Sequence, residues 1–182
     1  MEVSTAFLGC YAVLEVVVRN AMHDRLVACF GRDDWWAVAQ LRVNEAARVQ
    51  ESLRHLDRRM GAGGWSAGHV VAELPASFWE GLLANRYHAS LWVPALENAF
   101  PNFIGRRSDL KGRLERLRML RNRAAHHEPI HARDLMVDHR YACELAGYVS
   151  SELRAWSASL SRLPEVVANR SATLDGRRAP RF

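Results

Sequence analysis

Several things are scarce in this sequence, and each absence narrows what the chain can be. Cysteine occurs three times, at Cys10, Cys29 and Cys143, an odd number with no ligand-pair spacing. That pattern argues against a disulfide framework and a cysteine-based zinc module, and predicts a reduced, cytoplasmic setting. Apolar–polar alternation of strand period is missing, which argues against a sheet-based fold. The apolar run at residues 6–18 is broken by Glu15 and is shorter than the roughly 20 apolar residues of a membrane span. It also lacks a basic leader and a small-residue cleavage site. The expectation is a core helix and no membrane partner. Lysine occurs only once, as Lys111, among 25 basic residues; gene base composition can produce such a skew, so it carries no ligand preference by itself.

What is present is a chain of 182 residues, 49% hydrophobic and 25% charged, sized for one core. Nearly every long segment has helical period. A first helix is expected over residues 4–30, ending near Gly31. Asp33 and Asp34 are placed to cap a second, with Val43, Ala46, Val49, Leu53, Leu56 and Met60 recurring at steps of three and four. "GAGGWSAG" (residues 61–68) reads as a flexible connection. Shorter helices are expected at about 76–85 and 88–99, then a break at "PNFIG". Ser108 is placed to cap a helix with Leu110, Leu114, Leu117, Leu120 and Ala124 on one stripe, stopped by Pro129. A last long helix follows over 132–162. The predicted class is all-α: a single-domain helical bundle with long antiparallel helices over residues 1–163 and a frayed, flexible tail over 164–182. Most of the six tryptophans, at helical spacing among leucines, are expected in the core.

Charge is concentrated. Residues 105–123 hold Arg106, Arg107, Lys111, Arg113, Arg116, Arg118, Arg121 and Arg123 against Asp109 and Glu115, a local +6 in a chain of net +5. Such a run is either a solvated helix face or a surface for a polyanion. It leads into "MLRNRAAHHEPIH" (residues 119–131), which can be read two ways. From His127 it matches the H-E-x-x-H string of zinc hydrolases, whose two histidines need one continuous helix. Pro129 sits inside that string, removes an amide donor and pushes Glu128 out of the helical region, so no metal cofactor is expected there. From Arg121 it reads Arg-Asn, three residues, His. Both His126 and His127 then fall in the last helical turn, where the negative end of the macrodipole favours imidazolium.

At about 100° per residue, Arg121 falls on the apolar stripe. It therefore needs a partner, such as Glu15 or Glu97, or must line a cleft, because a buried unpaired charge is costly. On an ideal helix Arg121 and His126 are about 140° apart, while Asn122 and His126 are true neighbours. Arg121 and a histidine can meet only if the last turn unwinds or if a second copy of the chain supplies one of them. The stretch "VVVRNAMH" (residues 16–23) repeats the Arg-Asn…His theme with Arg19 and His23. It reads either as an amphipathic segment with a Glu15–Arg19 pair or as a source of polar groups for the cleft.

"RNRAAHHEPI" resembles the Arg-x4–6-His motif of the HEPN superfamily in its Abi-like (abortive-infection) form. Two further blocks resemble that family: "LEVVVRNAMHDRL" (residues 14–26) with "FGRDDWW" after it, and "GHVVAELPASFWEGLLANRYHASLWVPALENAFP" (residues 68–101). The resemblance implies a dimeric all-α fold with two motifs facing each other across the two-fold axis. It also implies metal-independent endoribonuclease activity in antiviral defence or toxin–antitoxin pairs. The 2′-hydroxyl would attack the adjacent phosphate, leaving a 2′,3′-cyclic phosphate and a free 5′-hydroxyl. By position, Arg121 would stabilise the phosphorane-like transition state, His126 would transfer protons, and Asn122 would orient phosphate or histidine. His127 also satisfies the looser spacing. RNA-binding positions would be Arg106, Arg107, Lys111, Arg113, Arg118 and Arg123. The implied partners are RNA, a second copy, and an antitoxin or a CRISPR or other defence-system protein. The alternative is a catalytically silent module of the same fold that binds RNA or a partner protein, such as an antitoxin or an associated nucleotide-modifying enzyme.

Overall fold

Glycine and proline punctuate the helical pattern and set where the elements end. The computed structural model describes residues 1–181, and among these there is helix and loop but no strand. Nine α-helices follow in order: α1 (Glu2–Phe30), α2 (Val43–Met60), α3 (Ala67–Glu73), α4 (Ala76–Leu82), α5 (Arg107–Ala125), α6 (Leu135–Val149), α7 (Ser151–Leu160), α8 (Leu163–Ala168) and α9 (Arg170–Leu174). Single helical turns lie at Trp35–Ala37, Asn85–Tyr87, His88–Trp92 and Leu96–Ala99. Gly31 and Gly61 close α1 and α2 with φ of +69° and +84°, values an L side chain resists.

Where a single core was expected, the backbone divides into two compact units. One holds residues 1–18, 102–105 and 112 onward; the other holds residues 19–101 and 106–111. In the first, α6 packs against α7 and α8. Its interior includes Phe7, Leu14, Leu117, Leu120, Ala124, Ile130, Leu135, Leu145 and Leu163. In the second, α2 packs against α3 and α4, around an aromatic cluster. Trp35 lies 6.2 Å from Trp79, and Phe78 meets Trp79 edge-on at 5.3 Å. Four of the six tryptophans (Trp35, Trp36, Trp79 and Trp92) are buried, as expected. By length and composition alone α1 could cross a membrane; Phe7, Leu14, Met22 and Leu26 along it are buried in the fold.

Several local expectations are corrected. Asp33 and Asp34 do not cap α2. Asp34 instead pairs with Arg32, and α2 starts only at Val43, with no side-chain cap on it. Its buried face is Glu45, Val49, Ser52 and Leu56, while Val43 and Met60 are exposed. Glu45 accepts from the Tyr87 hydroxyl at 2.8 Å and pairs with Arg86, which is why a carboxylate can occupy a core position. Ser108 lies inside α5, its hydroxyl donating to Asp109 at 3.2 Å, and does not cap it. The long helix expected over 132–162 is two helices. Ser150 adopts an extended backbone, ends α6, and accepts from the Leu153 amide at 3.3 Å to start α7. The tail expected to fray from Pro164 carries α8 and α9, with Leu163 and Val166 buried and Arg178 paired with Glu2 at 2.9 Å.

One buried ion cluster fixes α6 in the first unit. Asp138 is fully buried. It accepts from Arg116 of α5 at 2.7 Å and from Arg133 at 3.1 and 3.2 Å. Asp138→Ala would leave two guanidiniums without their anion; both reach solvent, so the loss is expected at about 2 kcal/mol, below the 3–5 kcal/mol of a fully enclosed pair. Thermal or urea denaturation checks this value.

In the second unit, the Trp35 indole N–H donates to His23 Nδ1 at 3.1 Å. Burial lowers the His23 pKa, and the acceptor role at Nδ1 requires the neutral ring. The unfolded chain therefore binds this proton more readily than the folded one. Stability contributed here is full above the ordinary histidine value of 6.5 and falls as pH drops through and below it. The unfolding midpoint of His23→Gln should fall less between pH 7.5 and about pH 5.5 than that of the wild type.

Candidate functional site

The helix that carries the motif ends in a hydrogen-bonded cap of defined geometry. α5 stays helical through Ala125, and the His126 amide still reaches the Asn122 carbonyl at 2.9 Å. His127 then turns left-handed with φ of +60°, the one non-glycine residue with positive φ among the described residues. Its amide donates to the Ala124 carbonyl at 3.2 Å, and the Glu128 amide to the Arg123 carbonyl at 2.9 Å. Those paired 5→2 and 6→1 bonds are a Schellman motif, with His127 where glycine usually stands. The helix therefore ends at Ala125, four residues before Pro129, through the turn at His127.

Arg123 holds this turn. Its Nε donates to the Glu128 carboxylate at 3.1 Å and its Nη2 to the Pro129 carbonyl at 2.8 Å. An ion pair thus spans the two positions that an apolar contact commonly joins in this motif. Because residues 127–131 are not helical, His127 and His131 do not share a helical face, and the H-E-x-x-H string lacks the geometry its chemistry needs.

Arg121 does not follow its expectation. It is exposed, and Nη1 donates to Asn122 Oδ1 at 3.2 Å; neither Glu15 nor Glu97 holds it. Leu117, Leu120 and Ala124 on the same side are buried, so the cover over the stripe ends short of Arg121. His126 and His127 are also exposed. Since α5 does not unwind before His126, Arg121 and His126 stay on different sides of the helix within one chain. Of the two ways the pair could meet, only a second copy of the chain remains. In the "VVVRNAMH" stretch the Glu15–Arg19 pair does not form; Arg19 bonds to the adjacent Asn20 at 3.4 Å, and His23 accepts from the Trp35 indole.

Most of the basic run is committed to the fold. In the second unit, Arg107 donates to His88 at 2.7 Å and to Asn85 at 2.8 Å and lies over the Trp92 ring, while Lys111 faces Glu80 at 3.7 Å. In the first, Arg113 binds both Glu144 and the Tyr148 hydroxyl at 2.5 Å and lies over Tyr141, and Arg116 holds Asp138. Arg106 and Arg121 are exposed without a carboxylate partner among the described residues. The periodic pattern of α5 did not reveal these pairings, because their partners Glu80, Asp138 and Glu144 lie elsewhere in the sequence.

No family model, curated protein or solved structure matches this chain significantly.

The cap makes a prediction of its own. A left-handed conformation costs a side chain roughly 1–2 kcal/mol, and glycine repays part of that relief through its freer unfolded chain. His127→Gly should therefore raise stability by up to about 1 kcal/mol, and His127→Val lower it by a similar amount. Equilibrium unfolding of both variants provides the check.

Proposed function

We propose that this chain is a metal-independent RNA endonuclease of the HEPN class, acting as a homodimer in a cytoplasmic defence or toxin role. The observation that carries the reading is the end of α5: Arg121, without a carboxylate partner, and two exposed histidines within six residues of it. A structural arginine on a core stripe would be expected to hold a carboxylate, as Arg116 does. An unpaired guanidinium is suited to the charge that builds on a phosphorane-like transition state.

His126, on the last helical hydrogen bond, would transfer the proton, and Asn122 would keep Arg121 oriented through its amide oxygen. His127 is assigned to the cap, because its left-handed backbone already accounts for its place at the turn. Arg121 of one copy would act beside His126 of the other, since the helix keeps the two apart within a single chain. Arg106 would contact the RNA backbone. Arg107, Lys111, Arg113 and Arg123 would contribute less than their sequence positions imply, because intramolecular partners already hold them.

A second reading, a silent module that binds RNA or a partner protein, is favoured by that same internal pairing of the basic run. The two readings separate on one assay: purified protein incubated with RNA in EDTA. The expected outcome is cleavage products with 2′,3′-cyclic phosphate ends. Arg121→Ala and His126→Ala should each slow cleavage by about 100-fold or more, and His127→Gly should retain it. Mixing the two inactive variants should restore part of the activity, because a mixed dimer can carry one intact composite site. Unchanged cleavage in both alanine variants would remove the assigned site. RNA retention without cleavage, weakening steeply with salt, would support the silent module.

A further inference from the structure

Away from the α5 motif, the second unit contains a cavity of ≈ 390 Å³ between α2 and the end of α3. We propose that this cavity binds phosphate or a phosphate monoester through Arg58, His55 and Ser52, with Arg48 at its edge.

The cavity arises from a break in the α2 pattern. The buried face of this helix is Glu45, Val49, Ser52 and Leu56, so Ser52 stands where an apolar side chain would fill the space. Ser52 is 5% exposed and lines the cavity, and its hydroxyl makes no hydrogen bond among the described residues. Its oxygen is not among the buried polar atoms left without a partner, so the hydroxyl opens onto the cavity, where an occupant can bond to it.

One turn further on, His55 Nδ1 is bonded to the Glu73 carboxylate, which Arg59 also approaches at 3.7 Å. A carboxylate only accepts, so Nδ1 carries a proton and the ring is oriented from behind. Nε2 is left for an occupant. It donates to an oxyanion when the ring is cationic, or accepts from an acidic phosphate O–H when the ring is neutral. Arg58 lines the same cavity, is exposed, and has no ion-pair partner among the described residues. Arg48 lines it too and is only loosely engaged by Glu51 at 3.7 Å.

Pairing within and around the lining leaves Arg58 as its uncompensated cation. Glu51 and Glu73 are the two carboxylates on the lining, and both are already engaged by cations. Arg58, Ser52 and His55 line one space and together offer a donor set suited to a tetrahedral phosphate. The Ser–His–Glu grouping also resembles a nucleophile relay. Ser52 and its neighbours lie mid-helix, however, where the backbone amides are used within α2. No backbone donors are free to serve as an oxyanion hole, so the grouping fits binding and not acyl transfer.

Isothermal titration of the full chain with inorganic phosphate, and separately with phenyl phosphate, at constant ionic strength in chloride tests this. Saturable one-to-one binding is expected, weakened about tenfold in Arg58→Gln and in Ser52→Ala. Arg58 is exposed, so Arg58→Gln keeps the fold even if Ser52→Ala disturbs the packing. The His55 ring signals in a proton–carbon NMR spectrum should move along the same saturation curve. Tighter binding of phenyl phosphate would assign the site to an ester, and equal binding to the free anion; either upholds the proposal. It is overturned by the absence of saturable binding, or by wild type and both variants binding equally.

Discussion

The buried carboxylate of Asp138 orders the end of the chain's basic helix. It is reached from α5 by Arg116 and from the loop before α6 by Arg133, so one anion fastens three successive parts of the sequence. Without it, two guanidiniums would face a site with no counter-charge, and residues 126–134 would lose one of their two anchors. The other anchor is Arg123, which grips the turn through Glu128 and the Pro129 carbonyl. The segment that carries the histidines is thus held by arginines at both ends.

The arginines of this segment serve two purposes, and position along the helix does not separate them. Arg113, Arg116 and Arg123 neutralise carboxylates within the fold, whereas Arg121 finds only a neutral amide. A formal +6 therefore overstates the field presented to a polyanion, since much of it is cancelled at short range. Specific geometry at the helix end then matters more to the proposed chemistry than bulk charge. The same reasoning applies to the α2 cavity, where the cations that matter are those left without strong partners.

The all-α class was legible because a 3.6-residue period is a local property, repeated in almost every segment. The ends of α1 and α2 were legible for the same reason: Gly31 and Gly61 announce positive φ. The end of α5 was legible only in part. Pro129 flagged a stop, but the stop itself is made by His127, whose side chain gives little hint of a left-handed backbone. Ser150, Asp34 and Ser108 show the opposite failure. All are residue types that cap helices, yet only Ser150 does so, because a cap needs a free amide in the right place and not merely an oxygen. The fold of residues 163–174 was missed because their burial depends on apolar contacts from distant parts of the chain.

By itself the sequence determined that the chain is helical, that its basic residues cluster before one Arg-Asn…His segment, and that Pro129 rules out a continuous zinc-binding helix. These follow from periodicity, composition and covalent geometry, all of which act over a few residues. Only the tertiary structure decided that Arg121 is exposed, that Arg113, Arg116 and Arg123 are paired with internal carboxylates, and that Ser52 borders a cavity. Those outcomes depend on which distant side chains arrive to cover or pair a given position, and a helical pattern does not contain that information.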